Sequence, residues 1–410
     1  MSDISAPEVF LWQMLEERAR RVFDLYGFEE VRTPILERTA VFTRALGEGT
    51  DVVQKEMYAF EDRGGRAIAL RPEGTAGVMR HVASAGQEAQ DARLYYVGPM
   101  FRAERPQAGR KRQFHQIGVE AVGTPSPAAD AECIALQVQL LRAWGLEGFD
   151  LQVHTRGVAE DQPAVREGLK NSLRPHLEQL CPECHKRFEE HPLRMLDCKN
   201  PQCQAIVAGI PPVTAHMGEE ARRYLDEVMR LLGRLGLSAR VNPRLIRGLD
   251  YYAHTIWEIT HPALGAQDAL AGGGRYRIEL EGRAIEGVGF AMGVERLVMA
   301  LQNRGVAAET LRRRPQVWLV SLGDAAREAN LVLLQALRAR GVACGMELAG
   351  RSMKAQMRAA NRAGAPSVVI RGDDELAAGV LVVKDMAGGT EEKPAEADWL
   401  ARWPEAPGAE

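Results

Sequence analysis

Two extended stretches, residues 93–102 and 112–122, flank a loop at 103–111 built of glycine, proline and basic residues, and this pairing constrains the fold more than any other feature of the chain. Strands joined that closely pair as a hairpin, which commits the chain to an antiparallel sheet. Along the second strand, period two places Gln116, Gly118 and Glu120 on one face, and the glycine leaves a gap between two polar side chains. Polar groups around a gap suit a small polar ligand. The base and tip of the hairpin carry Arg102, Glu104, Arg105, Gln107, Arg110, Lys111 and Arg112. A solvated charged loop would carry the same residues, but the planar guanidinium fork also matches phosphate oxygens.

Around this hairpin the chain divides. Leu11, Leu15, Ala19, Val22 and Tyr26 recur at helical spacing and predict a helix over 7–26, stopped by Gly27. Residues 31–35 read as a short strand whose Pro34 has no N–H to donate and so belongs at an edge or an interface. Another strand is expected at 67–70. Helix-period segments at 128–143 and 219–235 bracket a cysteine-bearing, proline-rich stretch that reads as an insertion, about 155–240. Strands resume at 255–260 and 285–290, and a helix follows with Val294, Leu297, Val298 and Leu301 on one face. Beyond a basic linker at 302–314, strand and helix alternate at 317–322, 325–340, 342–348, 354–363, 368–370 and 380–384, the pattern of a small separate α/β domain. The expected division is therefore 1–310, 311–390 and a loosely held tail at 391–410.

Composition excludes some classes. No apolar run approaches the roughly 20 residues that span a bilayer, and the N-terminus lacks a basic-then-apolar signal pattern, so a cytoplasmic protein with no membrane partner is expected. A net charge of -3 gives the 410-residue chain no overall field for RNA, so a nucleic-acid partner needs a local basic surface. One candidate is the row Arg351, Lys354, Arg358 and Arg362, which falls on one side of a helix; a solvated helix face looks the same in sequence. Four of the six cysteines, Cys181, Cys184, Cys198 and Cys203, have two, thirteen and four residues between them. That is close to a structural zinc pattern with a widened second pair, and ordinary thiols in a reducing cytosol account for it equally. His185 and His191 read as surface residues.

The stretch 287–296, Gly-Val-Gly-Phe-Ala-Met-Gly-Val-Glu-Arg, is a strand running into a helix whose glycines admit a nucleotide close to the backbone, with Arg296 placed for a phosphate or a base. Tight helix–sheet packing would use the same glycines. Together with the 101–116 hairpin it resembles the third and second signature motifs of class II aminoacyl-tRNA synthetases, with Pro34 standing where the first, dimer-forming motif has its proline. Arg247-Gly248-Leu249-Asp250-Tyr251-Tyr252 and Gly272-Gly273-Gly274-Arg275-Tyr276 resemble the two signatures of histidyl-tRNA synthetases, and 70–75, Leu-Arg-Pro-Glu-Gly-Thr, their substrate loop.

This resemblance covers nearly the whole chain. It implies an α+β fold: a class II antiparallel-sheet catalytic domain with a helical insertion, plus a C-terminal α/β anticodon-binding domain. The implied reaction joins L-histidine to ATP as an adenylate, with Mg²⁺, and then transfers histidine to the 3′ end of tRNA(His). Carried over by position, Glu73, Gly74, Thr75, Gln116, Glu120, Tyr251, Tyr252 and Tyr276 would surround histidine. Arg102, Glu104, Arg247 and Arg296 would bind ATP, with Arg247 at the α-phosphate; Arg102 and Arg247 would act in catalysis. Arg105, Gln107, Arg110, Arg112, Arg351, Lys354 and Arg358 would meet tRNA, and a homodimer is implied. Three features depart from the family's pattern: no Arg-Gly-Thr-x-Asp stretch precedes Pro7, Lys111 replaces a usual tyrosine, and Arg277 replaces the usual acidic residue after Gly-Gly-Arg-Tyr. Two rival classes are a regulatory paralogue from histidine biosynthesis, which lacks the C-terminal domain and much of the arginine set, and a non-enzymatic RNA-binding module.

Overall fold

The first helical pattern folds as α1 (Val9–Leu25), which buries Leu11, Leu15, Ala19 and Phe23. Gly27 ends it at φ 69°, a left-handed conformation that glycine adopts without a Cβ clash. The structure, a computed structural model, describes residues 3–86, 91–105, 109–123, 125–247, 251–265, 268–280 and 282–403. Gln107 and the Gly248-Leu249-Asp250 part of the histidine signature lie outside the described residues. The chain forms two units, Met1–Leu311 and Arg312–Glu410.

In the first unit β1 (Glu29–Glu30), β2 (Leu36–Arg38), α2 (Thr39–Leu46), β3 (Ala59–Glu61), β4 (Ala67–Leu70) and α3 (Thr75–Ala85) precede the hairpin of β5 (Arg93–Phe101) and β6 (Gln113–Val122). Next come α4 (Pro127–Ala143), β7 (Asp150–Thr155), the insertion helices α5 (Gln162–Leu173), α6 (Pro182–Glu190) and α7 (Pro201–Gly209), then α8 (Glu219–Arg234) and β8 (Arg240–Val241). β9 (Tyr252–Thr260), β10 (Ala269–Leu280), β11 (Arg283–Gly293) and α9 (Val294–Asn303) complete it. Eight strands form one sheet in the order β1-β5-β6-β11-β10-β9-β7-β8. All its pairs are antiparallel except β1 with β5 and β7 with β8.

Alternation divides the two faces of this sheet. Ile117, Val119, Trp257, Val288, Phe290 and Met292 join buried residues of α1, α4 and α9 in one core. On the same side Arg275 of β10 makes a buried ion pair with Asp130 of α4: Nε donates to Oδ1 at 2.8 Å and Nη2 lies 2.6 Å from the same oxygen. With the two side chains 2% and 0% exposed, removing either partner would strand the other charge, at a cost of about 3–5 kcal/mol. The opposite face carries Tyr96, Gln116, Gly118 and Glu120, brought by register beside Gly293, Ala291 and Gly289 of β11 and then Gly272 and Gly274 of β10.

One sequence expectation in this unit is corrected. Residues 31–35 form no strand; after Val31 N donates to Tyr95 O at 2.9 Å, the ladder stops. The Arg71 guanidinium takes its place, donating from Nη1 to Thr33 O at 2.8 Å and from Nε to Pro99 O at 2.8 Å. The Gly272–Gly274 stretch, for which the sequence predicts no element, lies within β10, a twelve-residue strand paired on both sides.

The second unit contains β12 (Val317–Ser321), α10 (Asp324–Ala339), β13 (Cys344–Met346), α11 (Met353–Ala363), β14 (Ser367–Arg371), α12 (Asp373–Ala378), β15 (Val382–Asp385), β16 (Glu391–Glu392) and α13 (Glu396–Ala401). Its sheet order is β13-β12-β14-β15-β16, parallel through β14 and antiparallel after it. A loosely held tail is expected from residue 391, but the described residues 391–403 are packed and paired. β16 pairs with β15, Trp399 is 3% exposed in the core of this unit, and Glu396 Oε2 lies 2.6 Å from Arg371 Nη2. No described helix is long and apolar enough to cross a membrane.

Candidate active site

The loop leading into α3 begins the site. Both oxygens of Glu73 accept backbone N–H groups at that helix's start, Oε2 from Thr75 at 2.8 Å and Oε1 from Ala76 at 2.7 Å. These are donors the helix cannot satisfy internally. The carboxylate keeps further lone pairs for a ligand, although burial raises its pKa. Gly74 has a packing role: a Cβ there would meet Tyr96 Cε2 at 2.2 Å. Thr75 Oγ1 donates to Glu120 Oε1 at 2.6 Å, joining the loop to the sheet.

Around Glu120 lies a buried polar cluster. Tyr96 Oη, Gln116 Oε1, Glu120 Oε2 and Tyr276 Oη are all buried, and none closes a hydrogen bond of ordinary geometry with a described residue. Glycines make the room: a Cβ on Gly118 would meet Tyr96 Cζ at 2.4 Å, and one on Gly289 would meet Glu120 Oε2 at 2.1 Å. Tyr251 packs edge-on against both Tyr252 and Tyr276, with centroids 4.8 and 5.8 Å apart. Burial pushes the Glu120 pKa up to about 8, overriding the Thr75, Tyr276 and Tyr96 hydroxyls, which favour its charged form. Buried polar atoms are normally paired, so four such atoms gathered at Glu120 without a hydrogen bond of ordinary geometry mark a site for a polar, hydrogen-bonding ligand.

Gln116 also lines a cleft of about 460 Å³, which holds Arg102, Glu104, Arg110, Arg247 and Arg296 together. Arg102 Nε donates to Pro72 O at 2.8 Å while its guanidinium sits 5.4 Å from the Phe114 ring centre. Glu104 Oε1 is 3.9 Å from Arg102 and its Oε2 3.6 Å from Arg110. Arg247 Nη1 donates to Glu258 Oε2 at 3.1 Å, and its guanidinium lies where a side chain on Gly272 would be. Arg296, in the first turn of α9, has its pKa lowered by burial and then by Arg110. Beside it, Glu295 accepts from His115 N at 3.0 Å. A second cavity, of about 450 Å³, reaches Tyr251, Tyr252 and Tyr276 and is also lined by Arg277. There the unusual arginine faces Glu286 across the β10–β11 pair, Nη1 to Oε1 3.5 Å, so its charge is countered locally.

The structure does not bring every expected residue to these cavities. Arg105 and Arg112 are exposed on the hairpin and line neither, and Arg351, Lys354 and Arg358 are exposed around α11 in the second unit. The four cysteine sulfurs, in contrast, all lie within 4.8 Å of one another, with Cys181 and Cys198 Sγ 3.8 Å apart. The backbone N–H of Cys184, followed by the neighbouring thiols, lowers the Cys181 pKa to about 7. Sequence reasoning missed Tyr96, Glu258 and Glu56. Tyr96 was within reach, because hairpin register sets it directly across from Gly118.

The raised Glu120 pKa has a defined effect on stability. Folding raises it from near 4.5 to about 8, so its contribution is fully present below about pH 4.5 and is lost as pH rises through about 8. In thermal melts, Glu120→Gln is therefore expected to gain on the parent as pH goes from 5 to 8. His154, whose pKa burial lowers to about 4, titrates with the opposite sign in both proteins and cancels. A melting difference that stays flat with pH would rule the assignment out.

Comparison with known proteins identifies the family. The histidyl-tRNA synthetase family model matches residues 1–297 and an anticodon-binding-domain model matches 316–400. A histidine–tRNA ligase from Halothermothrix orenii is 44% identical over 95% of this chain and 94% of its own length. The crystal structure of apo histidyl-tRNA synthetase from S. aureus superposes with a TM-score of 0.82 at 32% identity, covering 98% of both chains. A Bacillus halodurans chain described as an ATP phosphoribosyltransferase regulatory subunit/histidyl-tRNA synthetase, 24% identical with a TM-score of 0.65 over 91% of this chain and 97% of its own, shares the fold alone. With a full-length relative at this identity and both domain families present, the chain belongs to the histidyl-tRNA synthetase family, the ligases that join histidine to its tRNA.

Proposed function

We propose that the buried polar cluster holds histidine, that the arginine-lined cleft holds ATP, and that the two substrates meet at Gln116. The observation that carries this reading is the convergence of Arg102, Arg247 and Arg296 on a cleft that shares Gln116 with the cluster of unpaired buried polar atoms. Glu73 and Thr75 would take the histidine ammonium, and Glu120, Tyr251, Tyr252 and Tyr276 would surround its imidazole; a pocket of unpaired polar groups rejects amino acids that cannot pair with it. The histidine carboxylate then attacks the α-phosphorus as pyrophosphate leaves. Negative charge spreads over the phosphate oxygens, and guanidinium groups already fixed in place stabilise it with little reorganisation.

Mg²⁺, which class II enzymes use with ATP, supplies positive charge to the phosphates when bound. Glu56 and Glu104 fit it: burial and then the like charge of Glu104 raise the Glu56 pKa, a repulsion that a divalent cation relieves. In the second step the terminal ribose 3′-hydroxyl attacks the adenylate. The hairpin residues Arg105, Gln107, Arg110 and Arg112 would meet the acceptor end of tRNA(His), and Arg351, Lys354 and Arg358 the anticodon arm. The expected location is the cytoplasm.

Two structural features extend the reading. The four clustered thiols suit Zn²⁺, since tetrahedral Zn–S bonds of about 2.3 Å place sulfurs about 3.8 Å apart, the Cys181–Cys198 separation. This metal would be structural, because four protein sulfurs leave no open position. A homodimer would cover the small sheet β2-β4-β3, whose outer face exposes Leu36 and Phe60, 49% and 48% accessible, beside Ile68 and Leu70.

The deciding experiment is histidine-dependent ATP–pyrophosphate exchange. The parent should exchange with histidine and with no other amino acid, and Arg247→Ala should lose roughly 10²–10³-fold in rate; an Arg247→Ala protein as active as the parent would remove that residue from the chemistry. Metal analysis should find one zinc per chain, absent from Cys198→Ser, and a zinc-free parent would refute the metal. Sedimentation should give a dimer that Leu36→Lys with Phe60→Lys splits into monomers; a monomeric parent would refute the interface.

A further inference from the structure

The cleft assigned to ATP is not built from the catalytic sheet alone. Arg187, Arg194 and Asp197, all from the insertion, also line it. Seven basic and five acidic side chains line the cleft, and with Asp197 set against Arg187 and Arg194 the insertion contributes one of the two excess positive charges. The insertion thus adds to the excess positive charge that a polyphosphate needs. Both arginines stand on segments bounded by the clustered cysteines. Cys181 is the N-cap of α6, Cys184 lies in its first turn, and Arg187 follows three residues later. Arg194 lies on the 3₁₀ turn Pro192–Asp197, which Cys198 closes.

Contacts tie the two arginines together and to the catalytic body. Arg187 Nη1 donates to Arg194 O at 3.3 Å, and its Nε lies 3.4 Å from Glu183 Oε1. Arg194 Nη1 donates to Asp51 Oδ2 at 2.8 Å. Beneath them Phe188, Met195 and Leu196 are buried with Cys184 and Cys198 in the insertion's own core. A simple strut between insertion and body would also use the Arg194–Asp51 pair, and half-exposed pairs of that kind contribute little. A strut does not require the second arginine to face the same cleft. A guanidinium carries five N–H donors, so one bond to Asp51 leaves capacity for phosphate oxygens.

We propose that Arg194 binds the β- and γ-phosphates of ATP and that the cysteine cluster, through α6 and the Pro192–Asp197 turn, is the device that positions it, with Arg187 as the positioning residue between them. The proposal rests on reading the cleft as the ATP site. It makes the insertion part of the nucleotide machinery, so that loss of the tetrathiolate weakens ATP without touching histidine.

Calorimetric titration of the full-length protein with ATP, and separately with histidine, tests this in the parent, Arg194→Ala, Arg194→Lys, Arg187→Ala, Cys198→Ser and Arg102→Ala, with zinc content and circular dichroism recorded for each. Arg194→Ala and Arg187→Ala are expected to weaken ATP about tenfold, the scale of one charge-assisted hydrogen bond, with histidine affinity unchanged and Arg194→Lys partly restoring ATP. Cys198→Ser should lose zinc and show the same ATP-selective loss. Arg194→Ala that binds ATP like the parent overturns the proposal, and if its KM for tRNA rises instead, the arginine serves RNA. Zinc-free, folded Cys198→Ser with parental ATP affinity overturns the positioning role; should that variant unfold, the arginine variants, whose thiols are intact, decide. Parental ATP affinity in Arg102→Ala would instead indict the reading of the cleft itself.

Discussion

Alternation across five adjacent strands is the constraint on which the rest depends. β5, β6, β11, β10 and β9 must serve as the wall of the main core and as the floor of the site, and only the two-residue period lets one strand do both. Ile117 and Val119 point into the core while Gln116, Gly118 and Glu120 point away from it. Register carries the division sideways: Gly289 opposite Glu120, Ala291 opposite Gly118, Gly274 opposite Gly289, Tyr276 opposite Gly287. A one-residue slip of β6 would put Ile117 and Val119 into the site and Gln116 and Glu120 into the core. The large apolar face therefore fixes the register, and the register assembles a pocket to which no single segment contributes more than two or three groups.

The same sheet concentrates destabilising features. Glu120 is held in a place where its charged form is disfavoured, and the cluster around it leaves polar atoms without partners. His254 has a left-handed φ of 51°, uncommon for a residue with a side chain. It stacks on Tyr224 with ring centres 4.2 Å apart, close to the buried Arg275–Asp130 pair. Such features are tolerable where the surroundings over-determine them. The core face does so here, with α1, α4 and α9 packed across it, so the polar face can be organised for ligands.

Much of this was legible in the sequence wherever periodicity and punctuation agree. The 103–111 loop between two alternating stretches did pair as a hairpin, and the apolar faces of α1, α4, α8 and α9 lie where helical spacing put them. What was not legible depended on partners distant in the chain. Gly272–Gly274 has no strand signal of its own and becomes a strand only because two neighbouring strands pair it. Residues 31–35 look like a strand because nothing local reveals that Arg71 will take the Thr33 carbonyl. Trp399 lies in a stretch whose composition reads as a tail, and only the sheet beneath it gives it a reason to be ordered. The site residues followed the same rule. Glu120 was singled out by strand alternation as well as by resemblance and Arg247 by resemblance alone, whereas Tyr96 and Glu258, with no motif, are tied to the site through register and a single contact to a motif residue.

A common logic runs through the arginines of the cleft. A flexible guanidinium loses about 2 kcal/mol of side-chain entropy when it is fixed, and if ligand binding had to fix it, that cost would weaken the ligand. In this protein the cost falls on folding. Arg102 is tethered to the Pro72 carbonyl and lies over Phe114, Arg247 is tethered to Glu258 and rests on the space that Gly272 leaves open, and Arg194 is tethered to Asp51. Each anchor is one oxygen or one ring, so each guanidinium is held in place while most of its donors remain aimed elsewhere. The first two anchors belong to the sheet and its loops, which the main core supports from beneath. The third depends on a small insertion whose own core is thin and includes three of the four clustered cysteines, so the order of its arginines can be no better than the order of its thiols.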